Sequence, residues 1–253
     1  MKEKGKIYFV SDVHLGAPAL NNNRERERIF AQWLDEIKDD VSELFLMGDI
    51  FDFWHEYKKV APRGFTRIIG RIGDLSDRGI PVHFFTGNHD LWVYDYLPEE
   101  AGVVVHREEI IKELKGKKFF LAHGDGLDAE DVGYRRLKRI FTNKTMQWLF
   151  ARLHPNAALA LGHGWSKKSR IAKMGTDENF KVKEDGMYKF AEEYFQKDPV
   201  DYFIFGHRHQ MAKEKMNNKA TFVLLGDWIN KFSYGVFDGE KFELKRFNAK
   251  AKV

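Results

Sequence analysis

The stretch Ile7-Tyr-Phe-Val-Ser-Asp-Val-His14 sets the reading of the whole chain, because an apolar run of strand character leads directly into an Asp-x-His pair. Ile7–Val10 has the length and the β-branched and aromatic content of a buried strand. Polar residues just past such a strand lie where α/β folds place ligands and catalytic groups. The arrangement recurs four more times. Leu44–Met47 precedes Gly48-Asp49, and Val82–Thr86 precedes Gly87-Asn88-His89-Asp90. Phe119–Ala122 precedes His123-Gly124-Asp125, and Tyr202–Phe205 precedes Gly206-His207-Arg208-His209.

Working outward, Phe222–Leu225 reads as a further strand, and Arg24–Lys38, Phe65–Arg78 and Lys181–Phe195 carry apolar residues at helical spacing. Short strands alternating with helices predict an α/β layered domain. Towards the C-terminus, Ala220–Leu225, Tyr234–Asp238 and Phe242–Phe247 follow closely, with a turn at Asp238-Gly239. That spacing predicts a β-meander, and with it mixed rather than purely parallel sheets.

One region breaks the alternation. Asp131 to about Lys173 has no strand signal, and Tyr134, Leu137, Phe141, Trp148, Leu149, Phe150 and Leu153 recur among basic residues. It reads as a helical insertion over residues 128–175 within a single domain of residues 1–253, with a turn between two helices at His154-Pro155. Between Asp128 and Gly175 there are ten Lys or Arg against three acidic residues. Such an excess suits an anionic partner or merely a solvated helix face.

The chain has 253 residues, a formal charge of +4 and no cysteine, which excludes disulfide frameworks and thiolate zinc sites. No run approaches the roughly 18 apolar residues of a membrane span, and the N-terminus reads as no signal peptide. A cytoplasmic protein is expected.

The five clusters supply carboxylates, an amide oxygen and imidazoles, the donors that hard and borderline divalent cations take. Asp12, His14, Asp49, Asn88, His123, His207 and His209 form that set. One Asp49 carboxylate can bridge two ions, and two ions about 3.5–4 Å apart stabilise an in-line displacement at phosphorus. Each piece alone is commonplace, but the ordered set behind successive strands is not. Asp90 and Asp125 are placed to orient ligand imidazoles, or else to act as turn residues. The other histidines, His55, His83, His106, His154 and His163, are expected in packing or surface roles.

This ordered set resembles the calcineurin-like metallophosphoesterase superfamily. The resemblance implies a four-layer α/β/β/α sandwich of two mixed sheets, here with a helical lid insertion. It implies one metal held by Asp12, His14, Asp49 and His209, and another by Asp49, Asn88, His123 and His207. His89 would lie near the substrate phosphate, stabilising the transition state or protonating the leaving group. Within the superfamily, Gly48-Asp-Ile-Phe-Asp-Phe-Trp54, the His123-Gly-Asp motif with Asp131 and Tyr134, and Leu225-Gly-Asp-Trp228 look like the UDP-2,3-diacylglucosamine hydrolases. That likeness covers essentially the whole chain. It implies two divalent ions, manganese foremost, and cleavage of a UDP-linked lipid pyrophosphate in lipid A biosynthesis. It further implies substrate contacts at Trp54, Asp131, Tyr134, Ser166 and Arg170, and an acyl chamber in the insert. Basic and apolar residues of the insert also suit peripheral contact with an anionic membrane, at the inner face of an inner membrane.

The chain departs from the family's best-studied members at His89, where they carry Arg. A titratable imidazole and a permanently charged fork are different partners for a phosphate. The alternative is thus the same centre acting on another nucleotide or lipid phosphoester. Nucleic acid is disfavoured, because no aromatic stacking platform is interleaved with a continuous basic groove. A non-enzymatic scaffold on this fold would lack metal ligands, and none is missing here.

Overall fold

The computed structural model describes residues 5–173, 180–217 and 219–248, with backbone alone for 167–173. Five strands and three helices come first: β1 (Lys6–Val10), α1 (Asn23–Ile37), β2 (Val41–Leu46), α2 (Thr66–Asp77), β3 (Val82–Phe85), α3 (Tyr96–Ala101), β4 (Val104–His106) and β5 (Ile110–Leu114). After β6 (Lys117–Leu121) the chain is helical through α4 (Val132–Thr142), α5 (Lys144–Phe150) and α6 (Pro155–Lys173). A 3-10 turn at Val182–Glu184 and α7 (Gly186–Lys197) lead to β7 (Tyr202–Phe205), β8 (Met211–Met216), β9 (Ala220–Leu225), β10 (Ser233–Phe237) and β11 (Phe242–Arg246).

The strands form two mixed sheets, ordered β11-β10-β1-β2-β3-β4 and β5-β6-β7-β9-β8. Pairs β1-β2, β2-β3, β3-β4, β6-β7 and β7-β9 are parallel; antiparallel pairs close both sides of the second sheet and the β11 side of the first, whose other edge, β4, is parallel. Side chains alternate across each strand, and this splits the core into three layers. Ile7 and Phe9 point between the sheets with Phe45, Phe119, Ile204 and Val223. Tyr8 and Val10 point the other way, against α1 and α2 with Phe30, Trp33 and Ile72. Phe120, Phe203 and Phe222 face α7 through Met187 and Ala191. Strands covered on both faces must be apolar at every position, which is why they appear in the sequence as unbroken runs. The layer order is the expected α/β/β/α.

The expected meander is corrected. β9 lies in the second sheet, hairpinned to β8, whereas β10 and β11 pair in the first. The apolar runs carry strand signal but not sheet membership, and the Gly226–Phe232 connection crosses between sheets. The turn before Pro155 is present between α5 and α6, and a further break at Asn143, which caps α5, makes three helices of the expected two. No described helix is long and apolar enough to cross a membrane.

Candidate metal centre

The parallel strands β1, β2 and β3 of one sheet and β6 and β7 of the other end at the same place, and their loops converge there. Asp12, His14 and His209 bring one donor atom each within 4.8 Å of one another, as do Asp12, Asp49 and His123, and His14, Asp49 and His89. The sharing of Asp12 and Asp49 among these groups makes one continuous cluster. Tight turns direct the donors inward: Asp12, His14, Asp49, His207 and His209 all have φ between 47° and 65°, the left-handed region that non-glycine residues avoid. Each such residue costs about 1–3 kcal/mol, a strain that concentrates at functional sites. Two glycines admit the crowding. A Cβ on Gly87 would collide with Asp49, and one on Gly206 with Ser11 and Asp12.

Hydrogen bonds leave one face of each donor for a cation. Asp12 Oδ2 accepts from Ser11 Oγ at 2.7 Å and from the His207 amide at 2.8 Å. Its Oδ1 is buried without a hydrogen-bond partner. Asp49 Oδ1 accepts from the His89 amide at 2.9 Å, while Oδ2 lies 3.7 Å from His14 Nε2 and 3.5 Å from His123 Nε2. His123 Nδ1 donates to the Met47 carbonyl at 2.8 Å, which turns Nε2 towards Asp49, where it is buried with no hydrogen bond. His207 Nδ1 and Asn88 Oδ1 meet at 3.0 Å. Buried oxygens and imidazole nitrogens turned towards one another, some without hydrogens between them, fit a pair of divalent cations.

The electrostatics agree. Burial opposes ionisation of Asp12 and Asp49, yet the imidazoles of His209 and His123 respectively, with others, hold both carboxyls below their usual range. Burial also disfavours a charged His123, but the Asp49 carboxylate outweighs it and pushes the ring up to about 10. The carboxylates thus draw positive charge towards themselves. Burial lowers His89, so its ring is neutral near pH 7. Its Nδ1 faces the Asp52 carbonyl at 2.7 Å, and a carbonyl only accepts. Nδ1 therefore carries the hydrogen and Nε2 keeps its lone pair.

Residues around the cluster hold it in shape, and several were not anticipated. Asp52 Oδ1 sits 3.3 Å from His14 Nδ1, and Asp52 Oδ2 accepts from Ser166 Oγ at 2.5 Å. Asp52, within the Gly48–Trp54 run, is the carboxylate that orients a ligand imidazole. Asp90 does something else: its oxygens accept from the amides of Gly87, Asp49, Ile50 and Phe51, tying the β2 and β3 loops together. Asp125 accepts from Tyr134 Oη at 2.6 Å and pairs with Lys138 at 2.7 Å. Arg26 of α1, buried, donates to the carbonyls of Val13, His14 and Trp228 and so clamps the first metal loop. Nothing in its helical, charged surroundings in the sequence marks it.

A cavity of about 610 Å³ opens on the cluster at Asn88, His89 and His207 and runs beneath α4, α5 and α6. Leu137, Phe141, Leu149, Phe150, Leu161 and Trp165 give it an apolar lining. The expected substrate contacts are distributed unevenly. Tyr134, Asp131 and Ser166 all border this cavity. Asp131 caps α4 by accepting from the Tyr134 amide, and Ser166 is buried on Asp52. Trp54 also borders it, but its side chain has no exposed surface and its indole donates to Glu56 at 2.7 Å. It backs the wall. Arg170 falls in α6, and its side chain lies outside the described residues.

The chain is 40% identical to the UDP-2,3-diacylglucosamine hydrolase of Porphyromonas gingivalis, over 93% of this chain and 95% of that one. Proteins of the same name from Histophilus somni and Vibrio atlanticus are 29% and 28% identical, covering 88% and 95% of the chain and 92% and 96% of their own lengths. The calcineurin-like phosphoesterase family matches residues 5–211, the segment that contains every cluster residue, and the chain belongs to that family.

Proposed function

We propose that the chain hydrolyses the diphosphate of UDP-2,3-diacylglucosamine, giving UMP and 2,3-diacylglucosamine 1-phosphate, with two manganese ions as cofactors. Asp12, His14 and His209 would hold one ion and Asn88, His123 and His207 the other, with Asp49 placed to serve both. The single observation that carries the reading is the apolar cavity opening directly on the cluster. A phosphoesterase for small polar esters has no use for it, whereas a diphosphate attached to acyl chains fits both parts.

Divalent ions held here supply Lewis acidity and a nucleophile at neutral pH. The chain's own groups do the rest. Asp52 and Ser166 fix the His14 ring, Ser11 fixes Asp12, and Met47 fixes the His123 ring. His89 lines the cavity with Nε2 unprotonated, so it would take a proton from the attacking water and return it to the departing oxygen. Residues 128–175 act as the lid: each acyl-facing side chain fully buried by substrate contributes roughly 1.5–3 kcal/mol. Trp148, Leu149 and Leu161 on the same helices are exposed, and Arg152 lies 4.5 Å over the Trp148 ring. Aromatic, aliphatic and basic groups exposed together suit docking at an anionic membrane surface.

The test is hydrolysis of UDP-2,3-diacylglucosamine by manganese-loaded protein, with and without chelator. Chelator-sensitive release of UMP is the expected result. His89, standing where Arg occurs in the best-studied relatives, favours a second reading in which the same centre acts on another nucleotide or lipid phosphoester. Intact lipid alongside a cleaved generic phosphodiester would overturn the first reading and leave the second.

A further inference from the structure

A second cavity, of about 450 Å³, lies on the opposite side of α4. The helix divides the two spaces by its periodicity. Tyr134, Leu137, Ile140 and Phe141 line the apolar chamber, while Arg135, Lys138, Arg139 and Thr142 line the other cavity. Both sets follow the i, i+3 and i+7 spacing of one helix face. The second cavity borders the metal cluster at His123 and the Gly124-Asp125-Gly126 turn, and its size is that of a small-molecule site. Two spaces of different lining, one apolar and one with charged groups, thus flank the cluster on either side of α4.

Its polar groups are of two kinds. Lys138 is neutralised by Asp125, and Arg107 donates to the Val93 carbonyl. Arg135 and Arg139, one helical turn apart, make no side-chain hydrogen bond or ion pair among the described residues. Glu108 and Glu109 stand on the remaining wall. Between them is an independent signal. The Thr86 hydroxyl is buried without a hydrogen-bond partner in a residue 6% exposed, two positions before Asn88. Buried hydroxyls are nearly always bonded, so this one lacks its acceptor.

We propose that this cavity holds the nucleoside monophosphate half of the substrate, with Thr86, Arg135 and Arg139 on the phosphate and the glutamates on the ribose hydroxyls. The assignment rests on the reading of the substrate as a nucleoside diphosphate joined to a lipid. Given that reading, the acyl half fills the apolar chamber and the diphosphate spans the cluster, so the nucleotide must leave on the other side of α4. Arginine matches a phosphate, and carboxylates accept from a sugar diol. α4 then sorts the two products.

Calorimetric titration of UMP into manganese-loaded protein tests it. Thr86→Val, which keeps the side-chain shape, and the surface double variant R135E/R139E are each expected to weaken UMP binding at least tenfold. Inhibition by the lipid monophosphate product should move less than twofold. Unchanged UMP affinity in both variants, while the wild type still cleaves the lipid substrate, would overturn the nucleotide site and leave the activity standing. UMP binding lost in the variants, with no lipid cleavage by the wild type, would uphold the nucleotide cavity and sink the lipid reading. Equal weakening of UMP and of the lipid product would reduce the residues to general support of the metal loops and overturn the proposal.

Discussion

Phe119 and Trp148 are both large aromatic residues, yet Phe119 is fully buried between the sheets and Trp148 is 56% exposed on α5. The pair represents two regions built on different terms. In the sheet body each apolar face is covered by another element, and the three core layers account for nearly all of it. In α4 and α5 no residue is buried, although both helices are rich in large apolar side chains. The insert rests on the body through scattered contacts: Trp92 donates to the Phe141 carbonyl, Tyr57 to that of Leu153, Ser166 to Asp52 and Tyr134 to Asp125, Lys138 and Arg208 pair with Asp125 and Asp128, and Phe150 packs on His55 and Trp92. A region that leaves apolar surface unsatisfied in this way is completed by what it binds, and it opens more readily than the core. Under the proposed function, the chemistry resides in the body and the choice of substrate in the insert.

The largest effect that would break this division is on turnover. Asp49→Ala removes the carboxylate facing both His14 and His123, and activity should fall more than about 1,000-fold on every phosphoester, lipid or not. Metal content of the variant, measured by mass spectrometry, should drop with it. Retained activity on a small aryl diester would show that the centre does not depend on the body's shared carboxylate.

The next effect is on stability. Phe119→Ala should cost about 3–5 kcal/mol, lowering the melting temperature by about 10 °C, whereas Trp148→Ala should cost below about 0.5 kcal/mol. Similar melting shifts for the two would mean that the insert is core after all. Leu149→Ala sharpens the same contrast in function. Leu149 is 48% exposed and borders the apolar chamber. Its truncation should leave the melting temperature nearly unmoved and raise KM for the lipid substrate several-fold, read from steady-state kinetics on mixed micelles.

What the sequence made legible follows the same line. Strands buried on both faces, such as β1, β7 and β9, stand out as apolar runs, and the ligands after them were readable because each follows such a run. The strands that escaped notice, β4, β5 and β8, are all sheet edges. β5 reads Ile-Ile-Lys-Glu-Leu and β8 Met-Ala-Lys-Glu-Lys-Met, because an edge strand is half wet and carries charge. Asp52 and Arg26 were missed for another reason. Their roles come from what the fold sets beside them, His14 in one case and the carbonyls of residues 13, 14 and 228 in the other, and no local spacing encodes that. The apolar residues of the insert were visible as such. That α4 turns its apolar face to one cavity and its basic face to another required the structure.

The smallest effect expected concerns how the two sheets are joined. Their contact is apolar, but at one margin Glu43 of β2 accepts from Lys112 of β5 at 2.5 Å and meets His83 Nε2 at 2.8 Å. Burial raises the Glu43 carboxyl, yet these two partners outweigh it and hold it below its usual range. With the folded value depressed, the unfolded chain binds more protons near pH 4, so this contribution is whole above about pH 4.5 and fades as pH falls. Lys112 is a third exposed, so water screens the pair and Glu43→Gln should cost below about 1 kcal/mol at pH 7. Melting curves of the two proteins should therefore differ by a few degrees at neutral pH, with a gap that narrows as pH falls below about 4.5. A gap that does not change with pH would assign the effect to packing, making the body uniform in its means of support. A narrowing gap would show a charged seam at this margin of the joint, distinct from the charge that ties the insert on at Lys138.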